Sequence, residues 1–253
     1  SDGQALLTRA TVLTVQGRYA DAERDCARLA AIAQELVAAT CAAAPVSLSG
    51  DASGAYRTLM RALSRSPAAD RGLQAWTYAL AAEIAARRGE YKDADAHFRT
   101  ALALDRRDSY LLGAYADFLL DRQQAAEVVE LLRNETTNDA LFLRLVLAEA
   151  RLAGRTPVVQ STFVAHRDEL AARFDAARRR GDIVHRREEA RYVLSLEGDA
   201  RRALALAQAN WAVQREPADL RILAEAAKAA GDAIARSTAD SWIAAHHLED
   251  ATL

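Results

Sequence analysis

Residues 75–108 read AWTYALAAEIAARRGEYKDADAHFRTALALDRRD. Two helices are written into this stretch. On the first, Tyr78, Ala81, Ala82 and Ala85 recur at helical spacing. On the second, Ala94, Phe98 and the Ala101-Leu102 pair do the same. Gly89-Glu90-Tyr91 lies between them, where a glycine can reverse the chain. The small residues let two helices approach closely, and Phe98 is large enough to fill a gap between neighbours.

Weaker copies extend in both directions. Leu6, Ala10 and Leu13, then Gly17-Arg18-Tyr19 and Ala22, mark a unit before it. Gly50, Ala55, Leu59, Ala62-Leu63 and Pro67 mark the next. Beyond residue 108 come Leu112, Tyr115-Ala116, Leu119, Val128 and Leu132, with Gln123 where a turn glycine would stand. Leu143, Val146-Leu147, Ala150 and Gly154 follow. Gly198, Ala203, Ala212-Val213 and Pro217 form a sixth unit, with extra residues assigned to its second helix. Leu220, Leu223-Ala224, Ala227 and Gly231 form the last.

This pattern resembles the tetratricopeptide repeat, which has a period of about 34 residues. The resemblance covers nearly the whole chain. It implies an all-α fold, a right-handed α-solenoid of seven hairpins in one domain over 1–253. The expected units are 3–35, 36–69, 75–108, 109–139, 140–181, 184–217 and 218–251. The physics agrees, because one hairpin cannot bury its apolar side without a stacked neighbour. Two places break the rhythm. Asp70 to Gln74 predicts an extended leading helix in the third unit. After Gly154, Thr156-Pro157 reads as a cap with proline at the first helical position. A stripe through Val159, Phe163, Leu170, Phe174 and Ala177 then favours one long helix to Arg180 over two short ones.

Composition sets outer limits. Of 253 residues, 51% are hydrophobic and 27% charged, as in ordinary folded proteins. The net charge of −2 lacks the basic excess of a nucleic-acid binder. The longest uncharged run, Leu36 to Gly50, is too short to span a bilayer. The single methionine is Met60, so an initiator is expected to have been lost, by signal cleavage or in preparing the chain.

Cys26 falls late in the second helix of unit one, and Cys41 in the first helix of unit two. They are about equidistant from the join near Ala33 and Gln34, which puts them at similar heights on antiparallel helices. A disulfide is geometrically reasonable, and two small buried thiols are the alternative. A disulfide would place the chain in an oxidising compartment, the periplasm in a bacterium.

No catalytic motif stands out. His246-His247 near Glu249 and Asp250 reads as an exposed helix end rather than a metal site. Glu188-Glu189 beside Arg186, Arg187 and Arg191 reads as a solvated, ion-paired face. Arg178-Arg179-Arg180 reads as stabilisation of a helix C-terminus, with an acidic docking partner as the sharper reading. No cofactor or metal is expected.

The resemblance also implies that the first helices line a concave binding surface. Those positions carry Glu83, Arg87, Tyr110, Asp117, Arg144, Arg151, Glu188, Tyr192, Arg221, Glu225 and Lys228. Some family members clamp a C-terminal carboxylate with Lys, Arg and Asn. Here Ala79, Glu83, Gly113 and Asp117 stand at the corresponding places, so that mode is excluded. The expected role is a non-catalytic scaffold for a protein or peptide partner, with no nucleic acid and no membrane span. Two alternatives stay open at this point. One is a module that self-associates through its end repeats as a homo-oligomer. The other is an enzyme with a site near His185, Glu188 and Tyr192.

Overall fold

Glycines in the left-handed region decide where the helices turn. Gly17 and Gly89 sit at φ +73° and +78°, each between two amphipathic runs, a backbone state that side chains with a Cβ resist. Gln123 takes the corresponding position at φ +60° without being glycine. The computed structural model describes residues 2–253, and among them every regular element is a helix.

The helices pair along the chain. α1 (Asp2–Val15) pairs with α2 (Tyr19–Ala30), α3 (Glu35–Val46) with α4 (Ala52–Arg65), and α5 (Arg71–Arg87) with α6 (Tyr91–Leu104). α7 (Ser109–Asp121) then precedes α8 (Ala125–Leu132), and α9 (Asp139–Leu152) precedes α10 (Pro157–Arg180). α11 (Arg186–Tyr192) continues into a π-turn over Val193–Glu197 before α12 (Ala200–Trp211), and α13 (Pro217–Ala230) precedes α14 (Ala233–His246).

Sequence capping explains the boundaries. Asp51, Asp70, Asp108, Asn138 and Asp232 accept backbone N–H bonds at the starts of α4, α5, α7, α9 and α14. Thr156 does so at the start of α10, with Pro157 behind it, and Gly181 closes that helix at φ +76°. α10 is therefore one helix of 24 residues. In the sixth unit the roughly two extra residues expected in the second helix lie after it: α12 ends at Trp211 and α13 begins at Pro217, while the leading helix separately carries a π-turn. A π-turn absorbs one inserted residue without breaking the helix.

The helices pack as two compact units. One holds the chain up to Arg107, with Trp211–Ala224 and Asp232–Leu253; the other holds Asp108–Asn210 and Glu225–Gly231. In the first, each helix contacts the next, and the leading helices α1, α3 and α5 also contact in series. In the second, α7, α9 and α11 contact in the same way, with α8 and α10 against α9. This is α-solenoid packing, in which each hairpin covers its neighbour's apolar side. Leu141 through Glu149 of α9 are all buried, as suits a helix covered on several sides.

In the first unit, Ala10, Leu13, Ala22, Leu29 and the cysteines form one cluster; Ala43, Ala52, Ala55, Leu59, Ala81 and Ile84 form the next. Cys26 and Cys41 are disulfide-bonded, with Cα atoms 5.5 Å apart. The bond joins α2 to α3.

The C-terminal residues lie along the turns of this unit in order. A Cβ on Gly17 would fall 2.5 Å from the Trp242 ring, and one on Gly50 3.0 Å from His247 Cβ. The Ala251 N–H donates to Arg87 O (2.8 Å), beside the third turn. His246 is half-buried rather than exposed as the sequence suggested, because its ring lies on Trp242 (3.9 Å between centroids) and edge-on to Tyr19 (5.1 Å). Its neighbour His247 is exposed, at φ +49°.

Burial pushes the Tyr19 hydroxyl up to about 12; a hydrogen bond from Trp242 and the fields of Arg87 and Arg215 oppose the rise, and Glu216 adds to it. The folded state therefore keeps this proton when the unfolded chain has lost it. Stability is expected to fall between pH 10 and 12, by about 2 kcal/mol from this group. Burial also raises Tyr56 and Tyr192, so absorbance at 295 nm should show late ionisation among the seven tyrosines, and Tyr19→Phe should remove one late step.

Candidate functional site

The leading helices carry two different surfaces. In the first unit, Gln4, Leu7, Thr8, Thr11 and Val12 of α1 face Trp76 of α5 across an open groove of about 340 Å³. Trp76 is 38% exposed and Val12 48% exposed, unusual for such large apolar side chains. The helical spacing of residues 4, 7, 8 and 11 puts them on one face of α1. These residues escaped the sequence reading, which followed the repeat's core positions. Trp76 sits between Ala75 and Thr77, both buried, and Leu73 and Leu80 on its own face are half-buried, so the helical period of α5 did not announce its exposure.

In the second unit the leading helices are tied by charge. Asp117 on α7 accepts from Arg144 Nη2 of α9 (2.6 Å) and from Arg191 of α11. Arg144 Nε also donates to Gly113 O (3.1 Å) and Nη1 to Ala140 O (2.8 Å). Burial pushes the Asp117 carboxyl upward. The fields of Arg144 and Arg191 and their hydrogen bonds outweigh burial and hold it well below the usual carboxylate range. Behind this ladder, Glu189 accepts from Arg178 Nη1 (3.1 Å) and Arg202 Nη2 (2.8 Å). Glu149 meets His166 Nδ1 at 2.9 Å, and burial raises the Glu149 carboxyl against that contact.

These facts place the residues read from the sequence. Arg87, Arg144, Glu188 and Tyr192 are buried, Tyr192 against Phe174. Asp117 is half-buried in the ladder; Glu83 and Arg221 are half-buried with partners of their own. Tyr110 (61%), Arg151, Glu225 and Lys228 are exposed, and Arg151 donates to Leu120 O. Asp117 and Arg144 are thus brought together, and Arg191 completes them. Its assignment to Glu188-Glu189 followed spacing along one helix and missed Asp117 on α7, the leading helix of another hairpin.

Glu188 and Glu189 are 7% exposed, so they are not a solvated face. Their surroundings are buried because α10 and α12 reach Glu189 with arginines from outside its own helix. The Arg178-Arg179-Arg180 run is engaged by the side chains of Asp175, Glu189 and Asp182. Of the residues named for an enzymatic site, His185 is exposed while Glu188 and Tyr192 are buried. No group of three or more His, Cys, Asp or Glu among the described residues is spaced to hold a metal. No helix among them is long and apolar enough to cross a membrane.

The fold is an all-α chain of helical hairpins with α-solenoid packing. No protein-family model matches the sequence, and no curated protein matches it. Among solved structures, the chain is similar to one described as "Functional Characterization of Pseudomonas Aeruginosa pilF". The match covers 83% of this chain and 90% of that one, at 18% identity and a TM-score of 0.45. A likeness of that size says nothing about ligand or activity.

Proposed function

We propose that the chain is a non-catalytic scaffold that holds a protein or peptide partner on the faces of its leading helices. The groove of the first unit is the principal contact in this reading. One observation carries it: Trp76 and Val12 stand exposed across a groove whose other walls are uncharged. Tryptophan is enriched among residues that dominate binding energy, and a polar rim around it is the usual arrangement. The exposed Tyr110, Arg151, Glu225 and Lys228 offer the second unit's own polar contacts. A non-catalytic role is supported by Asp117, the most strongly perturbed acid, being held by two arginines rather than offered to a substrate. The disulfide supports an exported location, the periplasm in a bacterial host.

The test is a photo-crosslinking residue at Thr8, introduced in the native host. One defined adduct is expected. Trp76→Ala should weaken binding of that partner by tenfold or more, about 1.4 kcal/mol at least, with the unfolding midpoint unchanged. Absence of any adduct, or full binding by Trp76→Ala, would remove the groove from consideration.

A further inference from the structure

Among the described residues, the glycines at positive φ fall into two groups. At Gly154, Gly181, Gly198 and Gly231 an added Cβ would meet nothing within 4 Å. At Gly17, Gly50 and Gly89 it would meet the C-terminal segment each time. It would fall 2.5 Å from the Trp242 ring, 3.0 Å from His247 Cβ and 3.9 Å from Ala251 Cβ, respectively. The backbone state accounts for glycine at every one of these turns. It does not account for one segment lying in order against the first three.

That segment is held at both ends. At the first turn, Trp242 meets Tyr19 edge-on (6.3 Å between centroids), and Arg215 lies over the Trp242 ring (5.0 Å). The Arg215 N–H donates to Val15 O, in the last residue of α1 (2.7 Å). At the third turn, the Ala251 N–H donates to Arg87 O, in the last residue of α5 (2.8 Å). Between the two, Leu248 is buried. In α14 itself only Ala235 and Ala239 are buried. An element with so little buried surface opens below the global unfolding free energy.

In a solenoid each hairpin touches its neighbours, so the spacing of the first and third hairpins accumulates the play of two interfaces. Here α3 packs against both α1 and α5. α1 ends at the first turn and α5 at the third. These two helices carry the walls of the groove, Thr8 and Val12 on one and Trp76 on the other. A tie across their C-terminal ends limits how far they splay. We propose that residues 242–251 are a brace that fixes the spacing of α1 and α5, and that release of this segment loosens the groove between them. This is regulation of the partner site proposed above and rests on that reading. The coupling is reciprocal. A partner that fits the braced groove holds the segment down, and release of the segment weakens the hold on the partner.

The test is the distance between nitroxide labels attached through Thr8→Cys and Trp76→Cys in the full chain, whose own cysteines are bonded to each other. One narrow distribution is expected. Gly17→Asn puts a side chain where the Trp242 ring lies, and asparagine tolerates the left-handed backbone. It should at least double the width of the distribution. Gly198→Asn is the matched control: its φ is also +73°, with open space around it, and it should leave the width unchanged. Ala251→Pro removes the N–H that reaches Arg87 O, at an exposed position. It should broaden the distribution too, and gives the answer if Gly17→Asn does not fold. Exchange of the amides over 242–251 should quicken by about tenfold in both variants. An unchanged width in Gly17→Asn, or in Ala251→Pro where Gly17→Asn does not fold, would overturn the proposal and leave the segment as a cap on the turns. Equal broadening in Gly198→Asn would overturn it as well. No partner enters this measurement, so the brace can fail while the groove passes its own test at Trp76, and the reverse.

Discussion

Asp117→Ala is expected to destabilise the protein by about 3–5 kcal/mol, the range for removing one partner of a buried ion pair. The reason lies in what remains. Arg144 has a side chain 10% exposed and Arg191 one 24% exposed, and both point at the vacated carboxylate. Arg144 keeps its bonds to the Gly113 and Ala140 carbonyls, but these carry no counter-charge. Two like charges would then face each other across α9 and α11. Asp117→Asn should recover little, because it restores shape without charge. Asp117→Leu with Arg144→Met should recover much, since an apolar pair avoids desolvating the Asp117–Arg144 ions. Urea unfolding at constant m-value reads all of these. A loss under about 1 kcal/mol for Asp117→Ala would mean that the ladder behaves as a surface pair.

Acid provides an independent check. The folded state holds Asp117 ionised below its ordinary range, so this contribution is complete above about pH 4. It is lost as pH falls through the lowered folded value. The gap between wild type and Asp117→Asn should therefore close on acidification and persist unchanged from pH 5 to 8. The same variants separate structure from recognition. If Asp117 were chiefly a partner contact, its removal would abolish binding and leave the unfolding midpoint where it was.

What could be read from the sequence follows the range of each interaction. Turns and caps are local. Gly17-Arg18-Tyr19, Gly89-Glu90-Tyr91 and Thr156-Pro157 each satisfy or terminate a helix within a few residues, so their reading needs no tertiary knowledge. Gln123 could be placed in a turn by register with the glycines, although its residue type argues against a positive φ. The roughly two extra residues of the sixth unit were detectable from the spacing of Gly198 and Pro217, but not that they would follow α12. The π-turn was not foreseen, because it leaves no compositional mark in Val193–Glu197.

Charged residues were harder to read, for a physical reason. Period alone assigns Asp117, Arg144, Glu188 and Glu189 to a helix face, and a charged face is normally solvated. Whether it is buried depends on arginines arriving from other helices, such as Arg202 at Glu189 and Arg191 at Asp117. Those partners lie 13 and 74 residues away. The meeting of Tyr19 with Trp242 spans still more chain. Trp242, His246 and His247 look like the end of a last helix, and nothing in their spacing announces that Gly17 and Gly50 leave room for them.

Replacing Cys26 and Cys41 together by alanine is expected to cost about 3 kcal/mol, the loop-entropy value for a closed segment of about 15 residues. Alanine is the appropriate probe, since a serine hydroxyl buried at either place would add its own desolvation cost. Both positions are almost fully buried and lie in the cluster with Ala10, Leu13, Ala22 and Leu29. The bond fastens α2 to α3, which places the first hairpin against the second. Its loss should therefore loosen α1 and α2 first, and hydrogen exchange should show those helices opening before α5 and α6. Reduction of the folded protein should be slow, because thiol exchange needs access to a sulfur and local opening must supply it. A thiol count on protein taken from its native host, denatured without reductant, should give none. Two free thiols per chain in that count would mean that the hairpins are unstapled where the protein works. The exported location proposed above would then have lost its only structural support, while the groove at Trp76, which owes nothing to redox state, would stand or fall on its own test.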